Sequence, residues 1–224
     1  MTDDLVSALQ TATQKARAVL ETEVAEQLLD LYNVHADGTV EDAPGPQTTP
    51  AEVALWRRIV ATIEHERAGG KTPVEAVAAF RREAAFTLLN RFVALKMLEA
   101  RGIIPEAVSR GEESAGFRND FSLLAPGLNA LPDKGYRLFL ETLFDELGTE
   151  VGVLFDRRHV PGQVWPRRPA LQRALDILNA PALADAWEDE EAIGWVYQFF
   201  NSDQENRDSK YDAKGKPKAP QNGR

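Results

Sequence analysis

From Pro73 to Arg101 the chain keeps a helical rhythm while placing apolar side chains on nearly every side of the wheel. Phe86, Leu88, Leu89, Phe92, Val93, Leu95, Met97 and Leu98 share no single face. A surface helix with that pattern would leave half of these groups in water, so the segment belongs in the middle of a bundle. Its polar residues Glu83, Thr87, Asn90 and Arg91 recur at three- and four-residue steps and form one narrow seam. Other helices must therefore cover this one on most sides.

The flanking segments supply the partners. Leu5, Leu9, Ala12, Ala16, Val19, Leu20, Val24, Leu28 and Leu31 mark residues 3–32 as an amphipathic helix, with a break allowed near Thr22. Residues 33–48 lose the period and collect Asp37, Gly38, Pro44, Gly45 and Pro46, as a flexible loop would. Two helix starts then use one device, Thr49-Pro50-Ala51-Glu52 and Thr72-Pro73-Val74-Glu75. In each, the threonine can cap free amides, proline sits where a missing N–H costs nothing, and glutamate can reach back. Gly69-Gly70 and Gly102 supply the stops.

Beyond Gly102, Phe117 to Leu124 is an aromatic-apolar stretch expected to plug the bundle. Residues 133–147 form an amphipathic helix stopped by Gly148, and Val151 to Phe155 is the only stretch with strand composition. Short helices are expected over 171–178 and 183–187. Asp189 to Phe200 carries Ile193, Trp195, Val196, Tyr197, Phe199 and Phe200 almost all round and should lie against the central helix. After Asn201 the chain lacks Val, Ile, Leu and Phe, the composition of a disordered tail. The expected fold is all-α: an irregular multi-helix bundle around two buried helices at about 73–101 and 189–200. It forms one domain over residues 1–202, followed by a polar linker over 203–224.

Charge and composition narrow the chemistry. With 26 Lys and Arg against 35 Asp and Glu the net charge is −9, so a nucleic-acid footprint can only be local. The absence of cysteine removes disulfides and thiolate metal sites, and His35, His65 and His159 lack zinc-ligand spacing. The acidic Met1-Thr-Asp-Asp start is no signal peptide, and no apolar run approaches the roughly 20 residues of a membrane span, as expected for a cytoplasmic protein with no membrane partner.

Phosphate-loop, dinucleotide and Gly-x-Ser-x-Gly motifs are missing, so neither catalytic nor cofactor-binding residues are identified. The run Glu188-Asp189-Glu190-Glu191 reads as a favourable helix start. Arg91 and Asn90 on a buried helix need partners, and an internal salt bridge or cap is the expected one. The remaining candidate is a loop holding Arg157, Arg158, Arg167 and Arg168, followed by Arg173, with only Asp156 opposed and with His159 and Trp165 interleaved. Arginines on a Pro/Gly loop suit DNA phosphates. They suit equally the pairing of this acidic protein's own carboxylates. On either reading the loop is expected to be dispensable for the helices. Lys214, Lys216 and Lys218 of the tail could also touch phosphates.

Three segments carry a resemblance. Phe86-Thr-Leu-Leu-Asn-Arg-Phe-Val-Ala-Leu-Lys-Met-Leu-Glu-Ala-Arg-Gly-Ile resembles a hallmark of the N-terminal region of adenine-specific DNA methyltransferases of BREX and DISARM type, from bacterial phage-defence and restriction-modification systems. Glu191-Ala-Ile-Gly-Trp-Val-Tyr-Gln-Phe-Phe-Asn-Ser is similar to a second, more specific hallmark, and Tyr136 to Arg157 to the segment between them. The resemblance covers about residues 80–202. It implies N6-methylation of adenine with S-adenosylmethionine as donor, on a domain further along the chain. Neither a cofactor glycine motif nor the Asn/Asp-Pro-Pro-Tyr/Phe adenine motif occurs here, so the family's catalytic residues have no counterparts to carry over. The expectation is an N-terminal helical fragment, inactive alone, whose partners are DNA, the missing methyltransferase domain and other defence-system proteins. The alternative is a stand-alone interaction module that binds another defence component.

Overall fold

Two long antiparallel-capable helices, each 28 residues, form the spine of the computed structural model, which describes residues 1–131 and 133–210. They are α1 (Asp3–Asp30) and α3 (Pro73–Ala100), separated by α2 (Pro50–Ala68). The short turns α4 (Ser122–Leu124) and α6 (Gly152–Phe155) flank α5 (Tyr136–Leu147), and α7 (Arg168–Leu178) and α8 (Ala192–Lys210) complete the order. Among the described residues there is no strand, only an isolated antiparallel bridge between Val34 and Val40. Val151 to Phe155 is a helical turn, since a lone extended segment would have no neighbour for its amides.

Both T-P-x-E starts form full capping boxes. Thr49 and Thr72 accept the amides of Glu52 and Glu75, while each glutamate accepts the amide of its threonine. Helix α3 is buried nearly all round, with Leu88, Leu89, Phe92, Val93 and Leu95 fully enclosed. Its lower half, from Ala76 to Ala84, joins a core with Ile59 and Ile63 of α2, and its upper half joins a second core with Leu9, Ala16 and Leu20 of α1. Helix α1 runs unbroken through Thr22 and packs against α3, α7 and α8, which makes it a second centre of the bundle.

The burial of α8 is one-sided. Ala192, Val196, Phe199 and Phe200 face α1 and α3, whereas Tyr197 is largely exposed. Phe86 meets Tyr197 and Phe200 with ring centroids 5.6 and 5.0 Å apart. Arg17 of α1 and Arg82 of α3 both donate to the Phe200 carbonyl, and Arg82 also reaches Asn201 Oδ1 at 3.0 Å. The helix continues to Lys210, and the rest of the expected tail, 211–224, with its three lysines, lies outside the described residues.

The irregular segments are fixed by polar contacts to these helices. Glu99 Oε2 accepts the amides of Ala107, Val108 and Ser109 at 2.8–3.2 Å, which winds the chain after Gly102 around the end of α3. Phe117 meets Tyr136 edge-on, Phe121 tilts against Phe139, and the two form the plug, while Leu123 and Leu124 project outward. Asp133 stays outside α5 and caps it, accepting the amides of Gly135 and Arg137. In the 33–48 loop, Val34 is buried, and Asn33 and His35 bond to Glu41. No helix of the described residues is long and apolar enough to cross a membrane.

Leu88 and Phe92 have no exposed surface at the heart of this arrangement. Truncation of either to alanine is expected to cost on the order of 2–5 kcal/mol, through lost transfer energy and a residual cavity. Urea unfolding midpoints check it, and a loss under about half a kcal/mol would mean that α3 is not the centre.

Candidate functional site

The polar seam of α3 decides where the arginine loop sits. Arg91 is 2% exposed, yet it pairs with no carboxylate among the described residues. Its guanidinium instead donates to three backbone carbonyls: Leu154 from Nε at 3.0 Å, Gly162 from Nη1 at 3.1 Å and Asp156 from Nη2 at 2.7 Å. The expected internal partner of Arg91 is therefore the 154–162 backbone. Burial draws its pKa below the ordinary arginine value, an effect that Asp156 partly opposes. Gly162 permits the approach, because a Cβ there would lie 2.7 Å from Arg91 Nη1 and 2.8 Å from Thr87 Cγ2. Asn90 is also buried, and its Oδ1 has no hydrogen-bond donor.

Held in this way, the loop forms one wall of a cleft of about 900 Å³. The C-terminal end of α1, the first half of α2, α5 and the start of α7 supply the others. All four candidate phosphate contacts, Arg157, Arg158, Arg167 and Arg168, line it. Arg58, Arg91 and Arg137 line it too, none of them marked in the sequence as part of a site. Seven arginines and the carboxylates Glu52, Glu112, Asp133 and Glu141 line it, and Glu23, Glu26, Asp30, Asp145 and Asp156 pair with the same arginines from just behind the walls. The cleft is thus rich in arginine on an acidic protein, and what it can offer a ligand depends on which of these arginines are already paired.

The four candidates are not equally available. Arg157 bridges Glu141 and Asp145 on α5, and Arg168 meets Glu112 through both Nε and Nη2. Arg167 binds Glu23 at 2.8 Å and Glu26 at 2.6 Å, with Asp30 at 3.6 Å. These three are occupied by the protein's own carboxylates. Arg158 is 92% exposed, bonded only locally to Asp156 at 3.0 Å. Arg58 donates to the neutral amide oxygen of Gln163 at 2.6 Å and has no carboxylate partner among the described residues. Arg137 uses Nε for Glu141, lies over the Trp165 ring at 5.4 Å, and has no bond from its terminal nitrogens among the described residues.

The Arg167 contact also reaches into the bundle. Glu23 is 5% exposed and accepts the Arg167 amide, the Arg167 Nε and the Gln27 side chain. Burial alone would raise its pKa, but the Arg167 and Gln27 hydrogen bonds prevail and hold it below the usual carboxylate value. Gln27 also donates to the Trp165 carbonyl at 2.8 Å, so two buried polar residues of α1 tie the loop to the bundle.

The acidic run at 188–191 behaves as a helix start. Asp189 accepts the Glu191 amide, the largest cause of its lowered pKa, just before α8. Among the described residues no group of three His, Cys, Asp or Glu could hold a metal ion. No protein-family model, curated protein or solved structure matches the chain.

Proposed function

We propose that this chain is an N-terminal helical accessory domain of a site-specific adenine-N6 DNA methyltransferase in a bacterial phage-defence system of BREX or DISARM type. In this reading it works in the cytoplasm, positions DNA against the catalytic domain, and performs no methyl transfer itself. The observation that carries the reading is the packing of its two resemblance-bearing segments. Phe86 of the first meets Tyr197 and Phe200 of the second, and Arg17 and Arg82 clamp the Phe200 carbonyl. The third segment, 136–157, ends in the loop that Arg91 of the first segment holds. The three stretches thus form one connected unit, as expected if they serve one task. S-adenosylmethionine then belongs to the methyltransferase domain, and the arginine-lined cleft is the surface that supports the DNA.

Such binding is electrostatic and blind to sequence, with Kd of about 10⁻⁴ to 10⁻⁶ M at physiological salt. Titrating labelled duplexes into the chain between low and moderate salt tests it. Arg58→Gln and Arg158→Gln should each reduce the slope of log K against log salt by about 1, equally on unrelated duplexes. The same samples should give no adenine methylation with labelled donor. Absence of binding at low salt, or variants identical to the parent, would remove the DNA-holding role.

A second reading, a module that docks another defence protein, draws on apolar side chains left in water. Leu124 is 86% and Val153 99% exposed.

A further inference from the structure

We propose that the floor of the cleft binds a phosphate monoester: the terminal phosphate of a nucleotide, either free or at the 5′ end of a DNA strand. Tyr32 points to it. This residue is 3% exposed, lines the cleft, and makes no hydrogen bond through its hydroxyl to any described residue. The hydroxyl oxygen is nevertheless absent from the fully enclosed unpaired atoms, so it opens onto the cleft. A buried phenol without a partner normally finds one, and here the partner must come from outside. Its pKa is pushed up to about 12 by burial and then by Glu52, so it remains a protonated donor.

The donors around it are cationic. Arg137 acts on Tyr32 electrostatically, and its two terminal nitrogens form an open fork, steadied by Glu141 on one side and the Trp165 ring on the other. Arg58 and Arg158 line the same cleft, both joined to Gln163, which accepts from Arg58 and donates to the Arg158 carbonyl. The four carboxylates of the lining already have donors. Glu52 is bonded to Thr49, Asp133 to the amides of Gly135 and Arg137, Glu141 to Arg137 and Arg157, and Glu112 to Arg168. The site therefore offers spare donors on Arg58, Arg137 and the Tyr32 hydroxyl, with its acceptors already paired. An oxyanion with several acceptor oxygens matches that set, and guanidinium forks suit phosphate.

The burial of Tyr32, 3% exposed, selects the monoester. An internal diester of a duplex is flanked by sugars on both sides and cannot descend to a floor hydroxyl. A terminal phosphate can, with its nucleoside in the remainder of about 900 Å³, a volume usual for small-ligand sites. The inference shares the cleft with the DNA-holding role but is separable from it. Binding of a mononucleotide with indifference to duplexes would sink that role and keep this one, and the reverse result would do the opposite.

Calorimetric titration of the full chain with inorganic phosphate, adenosine 5′-monophosphate, adenosine, and 5′-phosphorylated and 5′-hydroxyl oligonucleotides tests the proposal. Phosphate and the monophosphate should bind, and adenosine should not. Tyr32→Phe removes a hydroxyl that no described residue uses, so it should fold as the parent does and weaken the monophosphate about tenfold. Arg137→Gln should weaken it at least as much. Binding of the 5′-phosphorylated oligonucleotide but not its 5′-hydroxyl twin assigns the site to DNA ends, and binding of the monophosphate alone assigns it to free nucleotides. No heat with millimolar phosphate or monophosphate, equal binding of adenosine or the 5′-hydroxyl strand, or an unaltered Tyr32→Phe would each overturn it.

Discussion

Replacement of Arg91 by methionine should lower folding stability by about 3–5 kcal/mol, because it strands three buried carbonyls that now share one charged donor. Methionine matches the length of the stem but leaves the carbonyls of Leu154, Asp156 and Gly162 without the donor that now reaches all three. Each stranded acceptor costs roughly 1–3 kcal/mol when it stays buried, and some will regain water as the loop lifts. The lifting is itself an expected result, since the guanidinium is what holds residues 154–162 against α3. Against a total of about 5–15 kcal/mol for a natural domain, the loss brings the variant close to unfolding. Arg91→Lys should recover little, because a point charge with one nitrogen cannot span three carbonyls. Urea denaturation of both variants provides the measurement. A cost below about 1 kcal/mol would mean that the seam does not hold the loop.

The second large effect is expected at Arg167 and is linked to pH. Arg167→Ala removes a charged hydrogen bond from Glu23, which is almost wholly buried, at a cost of about 1.5–3 kcal/mol near neutral pH. The folded-state pKa of Glu23 lies below its ordinary value of 4.5. The carboxylate is thus more stable in the folded chain than in the unfolded one. Its contribution is complete above about pH 4.5 and is lost as pH falls through the lower, folded pKa. Without Arg167 the burial that now opposes ionisation is less resisted, so Glu23 should titrate higher. The difference in stability between parent and variant should therefore shrink below about pH 4. Equal stabilities at pH 7, or a difference that grows in acid, would contradict this account.

The sequence made the spine legible because its signals are local. The all-round apolar pattern of 73–101, the two T-P-x-E starts and the glycine stops each act within one or two turns, and the structure follows them. The centrality of α1 was harder to read, because an amphipathic stripe does not reveal how many neighbours it will meet. Val151 to Phe155 misled for a related reason: four or five apolar residues without a pairing partner have no strand to join. The cleft was half visible. The arginine loop stood out by composition, but Arg58, Arg137 and Tyr32 lie about 100, 20 and 125 residues before Arg157 on other walls of the cleft, each looking like an ordinary helix-surface residue or core aromatic. Nor could composition tell which arginines would find carboxylates. Glu23, 144 residues from Arg167, becomes its partner only when α1 passes beneath the loop.

The claim that this cleft is the surface on which DNA is held can be tested by hydrogen exchange of the full chain with and without saturating duplex. The account predicts slower exchange at the amides of residues 156–168 and 50–58 on its walls, and no change at 122–124 or 152–154. Unchanged exchange on the cleft walls under conditions where the duplex is bound, with protection elsewhere, would contradict it.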